Sequence, residues 1–289
     1  MTLLINKPME KGFKGILFIS SFFSIVSVLL IAIFIFSRGI PAIAEIGFFN
    51  FIFGLTWNPS ANAFGIFPMI VGSLCITFGA LLLGLPLGIL TAIYLARFCR
   101  PSIYRFLKPA VELLAGIPSV VYGFFGLVVI VPWIMHHLGG AGNSLLAASI
   151  VLGIMILPTI IAIGETSIRA VPESYYEGAL ALGSTHEEAV CKVVTPAARS
   201  GLLTAVILGI GRAIGETMAV ILVAGNSPIL PEGILSSIRS LTANIAMEMS
   251  YAQGLHQGAL FGTGVVLFVF IILLITFLNF VTAKAGSKG

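Results

Sequence analysis

Six apolar runs, at about 15–37, 66–96, 109–135, 144–165, 200–224 and 257–282, dominate this sequence and leave it few ways to fold. Each is long enough to cross a hydrocarbon core of about 30 Å as a helix, which takes roughly 20 residues. Inside such a core every backbone N–H and C=O must find a partner within the chain, so these runs predict a bundle of spanning helices. Composition points the same way. With 58% hydrophobic residues, 9% charged and a mean hydropathy of +1.11, there is too little polar surface to clothe a soluble globule of 289 residues. The expected class is an all-α membrane protein with six transmembrane helices. A net charge of +4 would hint weakly at nucleic acid in a soluble protein, but here it comes from loops flanking lipid spans, and no nucleic-acid partner is implied.

The basic residues set an orientation. Lys7, Lys11, Lys14, Arg97, Arg100, Arg105, Lys108, Arg169, Lys192, Arg199, Lys284 and Lys288 fall on one side of the six spans, and only Arg38 and Arg239 fall on the other. The positive-inside rule then puts both termini in the cytoplasm. The first run resembles a signal peptide in order, with a Lys-rich flank and then Ala42-Ile43-Ala44, but its apolar stretch is too long and an uncleaved span is expected. Arg38 to Gly65 and Asn226 to Gln257 become the two large outer loops. In the second run, Pro86 between Gly84 and Gly88 predicts a kink with close helix packing.

Between the fourth and fifth runs lies a polar insertion, at about 170–198. Pro172 suits a first helical turn, where its missing N–H is not needed, and Glu173 and Glu177 favour that helix's positive end. Gly183 suits the left-handed position that closes a helix. Ser184 or Thr185, with Glu187 and Glu188 three residues on, offers a capping box for a second helix, which is expected to stop before Pro196. The pattern predicts two short helices joined at a glycine. The charge distribution, which makes no use of this pattern, places the insertion in the cytoplasm.

Glu177-Gly178-Ala179-Leu180-Ala181-Leu182-Gly183, followed after nine residues by Val193-Val194-Thr195-Pro196, resembles the EAA loop of ABC importer permeases. In those proteins the loop's short helix sits in a groove of the cytoplasmic ATPase. Gly211-Arg212-Ala213-Ile214-Gly215-Glu216-Thr217-Met218-Ala219-Val220 resembles the signature of the phosphate branch, in particular its PstC-type permease subunit. This chain departs from the general loop at Gly178, where alanine is usual, at Val193 for isoleucine and at Thr195 for leucine. A glycine inside a helix costs about 1 kcal/mol relative to alanine, which would leave the docking helix dependent on its partner for order.

The resemblance implies a type I, MetI-like permease fold. Residues 1–65 would be a cytoplasmic tail, the first span and an outer loop, and residues 66–289 a five-helix core. It further implies a PstA-type sibling permease in a heterodimer, a PstB-type ATPase dimer and a periplasmic PstS-type phosphate-binding protein. The transported species would be inorganic phosphate, and the setting a bacterial inner membrane with lipid around the spans. Glu173, Glu177, Gly178, Ala179, Leu182, Gly183 and Pro196 would couple to the ATPase. ATP and magnesium belong to that partner, since this chain has no Gly-x-x-x-x-Gly-Lys-Ser/Thr phosphate loop. A permease for a related oxyanion such as phosphonate, sulfate or molybdate is the alternative within the class.

Arg212 and Glu216, with Thr217 beside them, fall near the middle of the fifth run, where each ion costs about 2.5–3.5 kcal/mol by insertion scales and is therefore expected to face protein. Read as one helix, they stand a turn apart, either as a self-neutralising pair or as a pathway for an anion. Guanidinium offers a rigid fork of donors matched to phosphate oxygens. A carboxylate at Glu216 can accept from a protonated phosphate but not from sulfate, which presents only acceptors, so the pair would filter by protonation. The resemblance independently implies an Arg and a Glu here in the substrate pathway.

The remaining signals are bland. Gly209-Ile210-Gly211-Arg212-Ala213-Ile214-Gly215 has the wrong spacing for a dinucleotide loop, and close helix packing through Gly211 and Gly215 is expected instead. All eleven acidic residues are Glu, which excludes an aspartyl intramembrane protease. Without His-Glu-x-x-His or Gly-x-Ser-x-Gly, a hydrolase is disfavoured. An ion-coupled secondary transporter would explain the buried charges but not the two-helix insertion, and no inverted repeat is evident. His136 and His137 lack a third ligand, and Cys75, Cys99 and Cys191 lack framework spacing, so no metal and free thiols are expected.

Overall fold

A computed structural model describes residues 7–286; Lys288, counted in the charge distribution, lies outside them. The chain begins with α1 (Lys7–Ile46), α2 (Phe48–Phe53) and a hairpin of β1 (Trp57–Asn58) and β2 (Ala63–Phe64), with Trp57 opposite Phe64. Next, α3 (Phe67–Ile93) runs on through a π turn at Tyr94–Phe98. There follow α4 (Pro101–Gly116), α5 (Ser119–Phe125), a π turn at Gly126–Ile130 and α6 (Val131–His137). The Ser144 hydroxyl caps α7 (Leu145–Arg169) by accepting the Ala147 N–H at 3.2 Å. The polar insertion holds α8 (Glu173–Ala181), α9 (His186–Ala189), a π turn at Val190–Val194 and α10 (Thr195–Ala197). After it come α11 (Arg199–Gly215), α12 (Met218–Val223), α13 (Leu241–Glu248) and α14 (Gly254–Gly286).

Among the described residues five helices are long and apolar enough to cross a membrane, and a sixth span is made if the pair His186–Ala197 and Arg199–Gly215, bent by 68°, counts as one. The centre of the bundle is α7, which lies along α3 in the same direction. Small residues set that distance. A side chain at Gly84 would meet the Gly153 carbonyl at 2.8 Å, and one at Gly88 would meet Ile160 at 2.7 Å, so the close packing expected around Pro86 is present, with Pro86 inside α3. Leu152, Met155, Ile156 and Ile160 of α7 are fully buried.

The expected segments change in five places. The first span is longer than 15–37, because α1 continues through Pro41 to Ile46. Its far end is held against α14, where Gly39 leaves no room for a Cβ beside Phe261 and Val265, and Phe34 meets Phe261 edge-on at 5.5 Å. Arg38 to Gly65 is therefore helix and hairpin rather than a loop. The segment from Asn226 to Gln257 likewise folds onto the bundle through α13 and a parallel bridge between Gly225 and Ile238.

The run at 109–135 is not one helix. Ile117 precedes Pro118 and is pushed to extended backbone, with ψ of 127°, so α4 ends at Gly116 and a separate helix starts at Ser119. The run at 200–224 breaks as well. Gly209, Gly211 and Gly215 weaken the end of α11, and Glu216 is extended at ψ 133° before α12 begins.

Candidate functional site

The insertion is built largely as its residues dictate. Glu173 opens α8 and pairs with Arg97 at 2.8 Å, which ties the insertion to the end of α3. Gly183 has φ of +90°, and a Schellman arrangement closes the helix: the Gly183 N–H donates to the Leu180 carbonyl at 2.9 Å and the Ser184 N–H to that of Ala179 at 3.1 Å. Thr185 and Glu188 then form the capping box, each accepting the other's backbone N–H at 3.3 Å, so the choice left open between Ser184 and Thr185 falls on Thr185. Ala179 is buried, Glu177, Gly178 and Gly183 are exposed, and Leu182 stands 90% exposed at the tip. Tyr175 and Leu180 add to this exposed apolar surface.

One expectation fails in the insertion. The second helix does not stop before Pro196; it continues through the π turn at Val190–Val194 into α10, with Pro196 in the first turn after it. A π turn shifts the hydrogen-bond ladder by one residue, so a proline just beyond it leaves no donor missing. The chain then turns at Ala198 into α11.

Arg212 and Glu216 do not stand on one helix and do not pair. The Arg212 guanidinium donates to the Thr159 hydroxyl at 3.3 Å. The Glu216 carboxylate accepts the Ala219 N–H at 3.0 Å and so caps α12, while its own carbonyl accepts from the Thr242 hydroxyl at 2.9 Å. Both side chains are half-buried, as is Thr217, whose hydroxyl bonds back to Gly215 at 3.4 Å. The self-neutralising pair is thus replaced by two charges on either side of a helix break. Gly211 and Gly215 do not mediate packing either: nothing lies within 4 Å of a Cβ at either, and Gly209 is the glycine that meets α7, at Ile160.

A second helix break lies beside the first. The Tyr122 hydroxyl reaches back across Ile117–Pro118 to donate to the Leu114 carbonyl at 2.7 Å, and Tyr122 is within electrostatic reach of Arg212. A Cβ at Gly123 would meet the Ala219 backbone at 2.7 Å, so α5 lies directly against α12. Gly116 and Pro118 signal this break in the sequence, but nothing local says that it meets the other one.

Two further carboxylates have fuller surroundings than their sequence context suggests. Glu165, 1% exposed, accepts from Tyr104, Lys108 and Arg169. Glu248 accepts from Trp57 at 2.9 Å and Arg239 at 2.6 Å, with His256 at 2.8 Å, and thereby fastens the hairpin to α13 and α14. Periodicity marks neither, since their partners lie up to 191 residues away.

Known proteins resemble this chain in sequence and in fold. Residues 84–285 match the family model described as the binding-protein-dependent transport system inner membrane component. A probable ABC transporter permease protein, YqgH of Bacillus subtilis, is 40% identical over 81% of this chain and 78% of its own. The phosphate transport system permease protein PstC of Pasteurella multocida is 35% identical over 83% of this chain and 81% of its own, and that of Mesorhizobium japonicum 34% over 89% and 85%. Among solved structures, the MetNI methionine ABC transporter in an inward-facing form covers 76% of this chain and 94% of its own, with a TM-score of 0.58 at 20% identity, a likeness of fold. The chain is a multi-pass membrane protein and belongs to the family of binding-protein-dependent transport system inner membrane components.

Proposed function

We propose that this chain is the PstC-type permease subunit of an ATP-driven phosphate importer, forming half of the translocation pathway and hydrolysing no nucleotide itself. The observation that carries this reading is the pair of adjacent helix breaks, which presents a half-buried Arg212, bonded to the neutral Thr159 hydroxyl and without an ion pair among the described residues, near Glu216 and Thr217. Discontinuous helices are how membrane transporters expose polar groups to a passing ion. Phosphate as the transported species is supported by the PstC proteins matched over most of their length. Arg212 would attract the anion, and Glu216 would screen its protonation state.

The same reading gives the insertion to a separate ATPase. Leu182 and Leu180 at one end and Tyr175 in the first turn leave α8 with exposed apolar side chains on a helix whose ends are both fixed, a shape suited to a groove in a partner. Both termini would lie in the cytoplasm with that ATPase, and a sibling permease and an outer binding protein would complete the assembly in the inner membrane. Residues 1–65 would add a first span, helix and hairpin packed on the five-helix core of 66–289.

The test is uptake of radiolabelled phosphate by vesicles carrying the complete complex. ATP-dependent accumulation that requires the binding protein supports the reading. Uptake of another oxyanion in its place, with hydrolysis intact, would keep the permease and discard phosphate.

A further inference from the structure

The cluster around Glu165 plays no part in the proposed pathway, yet it is the most heavily charged buried site among the described residues. Tyr104 and Arg169 donate to one carboxylate oxygen, at 2.7 and 2.8 Å, and Lys108 donates to the other at 2.8 Å. Tyr104 and Lys108 stand one turn apart on α4, and Arg169 lies one turn beyond Glu165 on α7. The Arg169 guanidinium also lies over the Tyr104 ring, 4.7 Å from its centre.

The other arm of Arg169 donates to the Leu95 carbonyl at 2.8 Å. That carbonyl is free for a reason. In an ordinary α-helix it would accept the Cys99 N–H, but in the π turn at Tyr94–Phe98 that N–H goes to Tyr94 at 2.8 Å instead. Two residues on, Arg97 holds Glu173 of the insertion. Charge-assisted bonds therefore link α8, the end of α3, the end of α7 and α4 without a gap.

Such a joint is a costly way to fix a helix. Buried ions lose hydration that their attraction seldom recovers, and an apolar contact of the same size is often as stable. What an ionic joint adds is direction and a fixed register. Elsewhere α4 is lightly held, with no fully buried residue and Phe106 76% exposed. Its far end meets the Ile117–Pro118 break, where Tyr122 grips the Leu114 carbonyl and the following helix α5 lies against α12 at Gly123 and Ala219.

We propose that Glu165 is a positioning residue that locks α4 to the docking insertion, so that α4 acts as a lever carrying movement of α8 to the helix break at Arg212. This inference rests on the coupling and pathway roles proposed above. It requires α4 and the insertion to move as one body, and the signal to weaken when Lys108 and Tyr104 let go.

The experiment uses the full complex with sibling, ATPase and binding protein, with Cys75 and Cys99 changed to serine. Spin labels are placed on the native exposed Cys191 and on Phe106→Cys, and the distance distribution is measured with and without ATP and vanadate. Lys108→Met with Tyr104→Phe releases α4 while leaving the Glu165–Arg169 pair intact, so the buried carboxylate keeps a cation and the fold is spared. The expected result is a narrow distribution, unchanged by nucleotide, in the parent, and a broad one in the double variant. With it, stimulation of ATP hydrolysis by the loaded binding protein should fall about 10-fold, in the range of ordinary coupling energies. Lys108→Arg should restore both. A double variant as narrow as the parent, or equally well stimulated, overturns the proposal. Failure of the phosphate reading looks different: phosphate-loaded binding protein would then stimulate not even the parent, while the label widths would still decide whether the joint exists.

Discussion

Arg212 closes one helix and Glu216 opens the next, and each has its own partner: the Thr159 hydroxyl for Arg212, the Ala219 N–H for Glu216. A guanidinium with five donors that makes one bond of 3.3 Å to a neutral hydroxyl keeps most of its capacity for a passing anion. Arg212→Gln should therefore stop phosphate uptake while assembly and hydrolysis persist. Arg212→Lys keeps the charge and loses the fork, and a lost charge-assisted bond of roughly 1.5–3 kcal/mol predicts uptake about 10- to 100-fold lower. Uptake per unit of assembled complex measures both, and normal transport by Arg212→Gln would remove Arg212 from the pathway.

Glu216 carries two roles that substitution can separate. As a cap it needs only an acceptor, which Gln supplies, so Glu216→Gln should leave α12 in place and Glu216→Ala should cost about 1 kcal/mol at its start. As a filter it needs a carboxylate that offers a fully ionised oxyanion no donor. Glu216→Gln should then admit sulfate while still moving phosphate. Competition by sulfate against labelled phosphate reads this out, and unchanged exclusion with unchanged uptake would leave Glu216 as a cap alone.

At the insertion, Gly183 and Gly178 should respond in opposite ways. Gly183 sits at φ +90°, so Gly183→Ala forces a side chain into left-handed backbone at about 1–2 kcal/mol, and Gly183→Pro cannot adopt the conformation at all. Both should loosen the α8–α9 turn and uncouple hydrolysis from transport. Gly178 lies within α8 with nothing near its missing side chain, so Gly178→Ala should stabilise that helix by about 1 kcal/mol. Amide exchange across residues 173–189 measures both. Slower exchange in Gly183→Ala than in the parent would contradict the cap.

These residues also show how far the sequence could be read. Gly183, Thr185 and Glu188 act through neighbours within four residues, so their geometry was legible directly. That the chain carries five or six spans was legible too, because hydropathy is a local sum. The breaks at Ile117–Pro118 and Glu216 were not read, although Pro118 signals the first, because an apolar run looks alike whether its ladder is continuous or interrupted. Thr242, which holds the Glu216 carbonyl, lies 26 residues away, and Lys108 reaches Glu165 across 57. Contacts at such separations follow from packing, to which periodicity is blind. The π turn before Pro196 has the same origin: as the helix passes the proline, Val194 is buried against Ala92 and Ile168 of the bundle.

Glu248 joins the hairpin to the bundle at the end away from the insertion, and its energetics can be divided by a mutant cycle. Trp57 donates its indole N–H to one carboxylate oxygen, which His256 shares, and Arg239 binds the other. Trp57→Phe keeps a ring edge-on to Phe64 and removes a single donor to a charged acceptor, so it should cost roughly 1.5–3 kcal/mol. Glu248→Gln should cost more, because Arg239 is 12% exposed and loses its counter-charge, and breaking a buried ion pair costs about 3–5 kcal/mol. Once the carboxylate is gone, Trp57→Phe has less to lose. The double variant should therefore fall short of the sum of the singles by about 0.5–3 kcal/mol, the coupling expected of residues in direct contact. Denaturation of the four proteins in one detergent measures it, and strict additivity would mean that the indole bond contributes nothing to holding the hairpin.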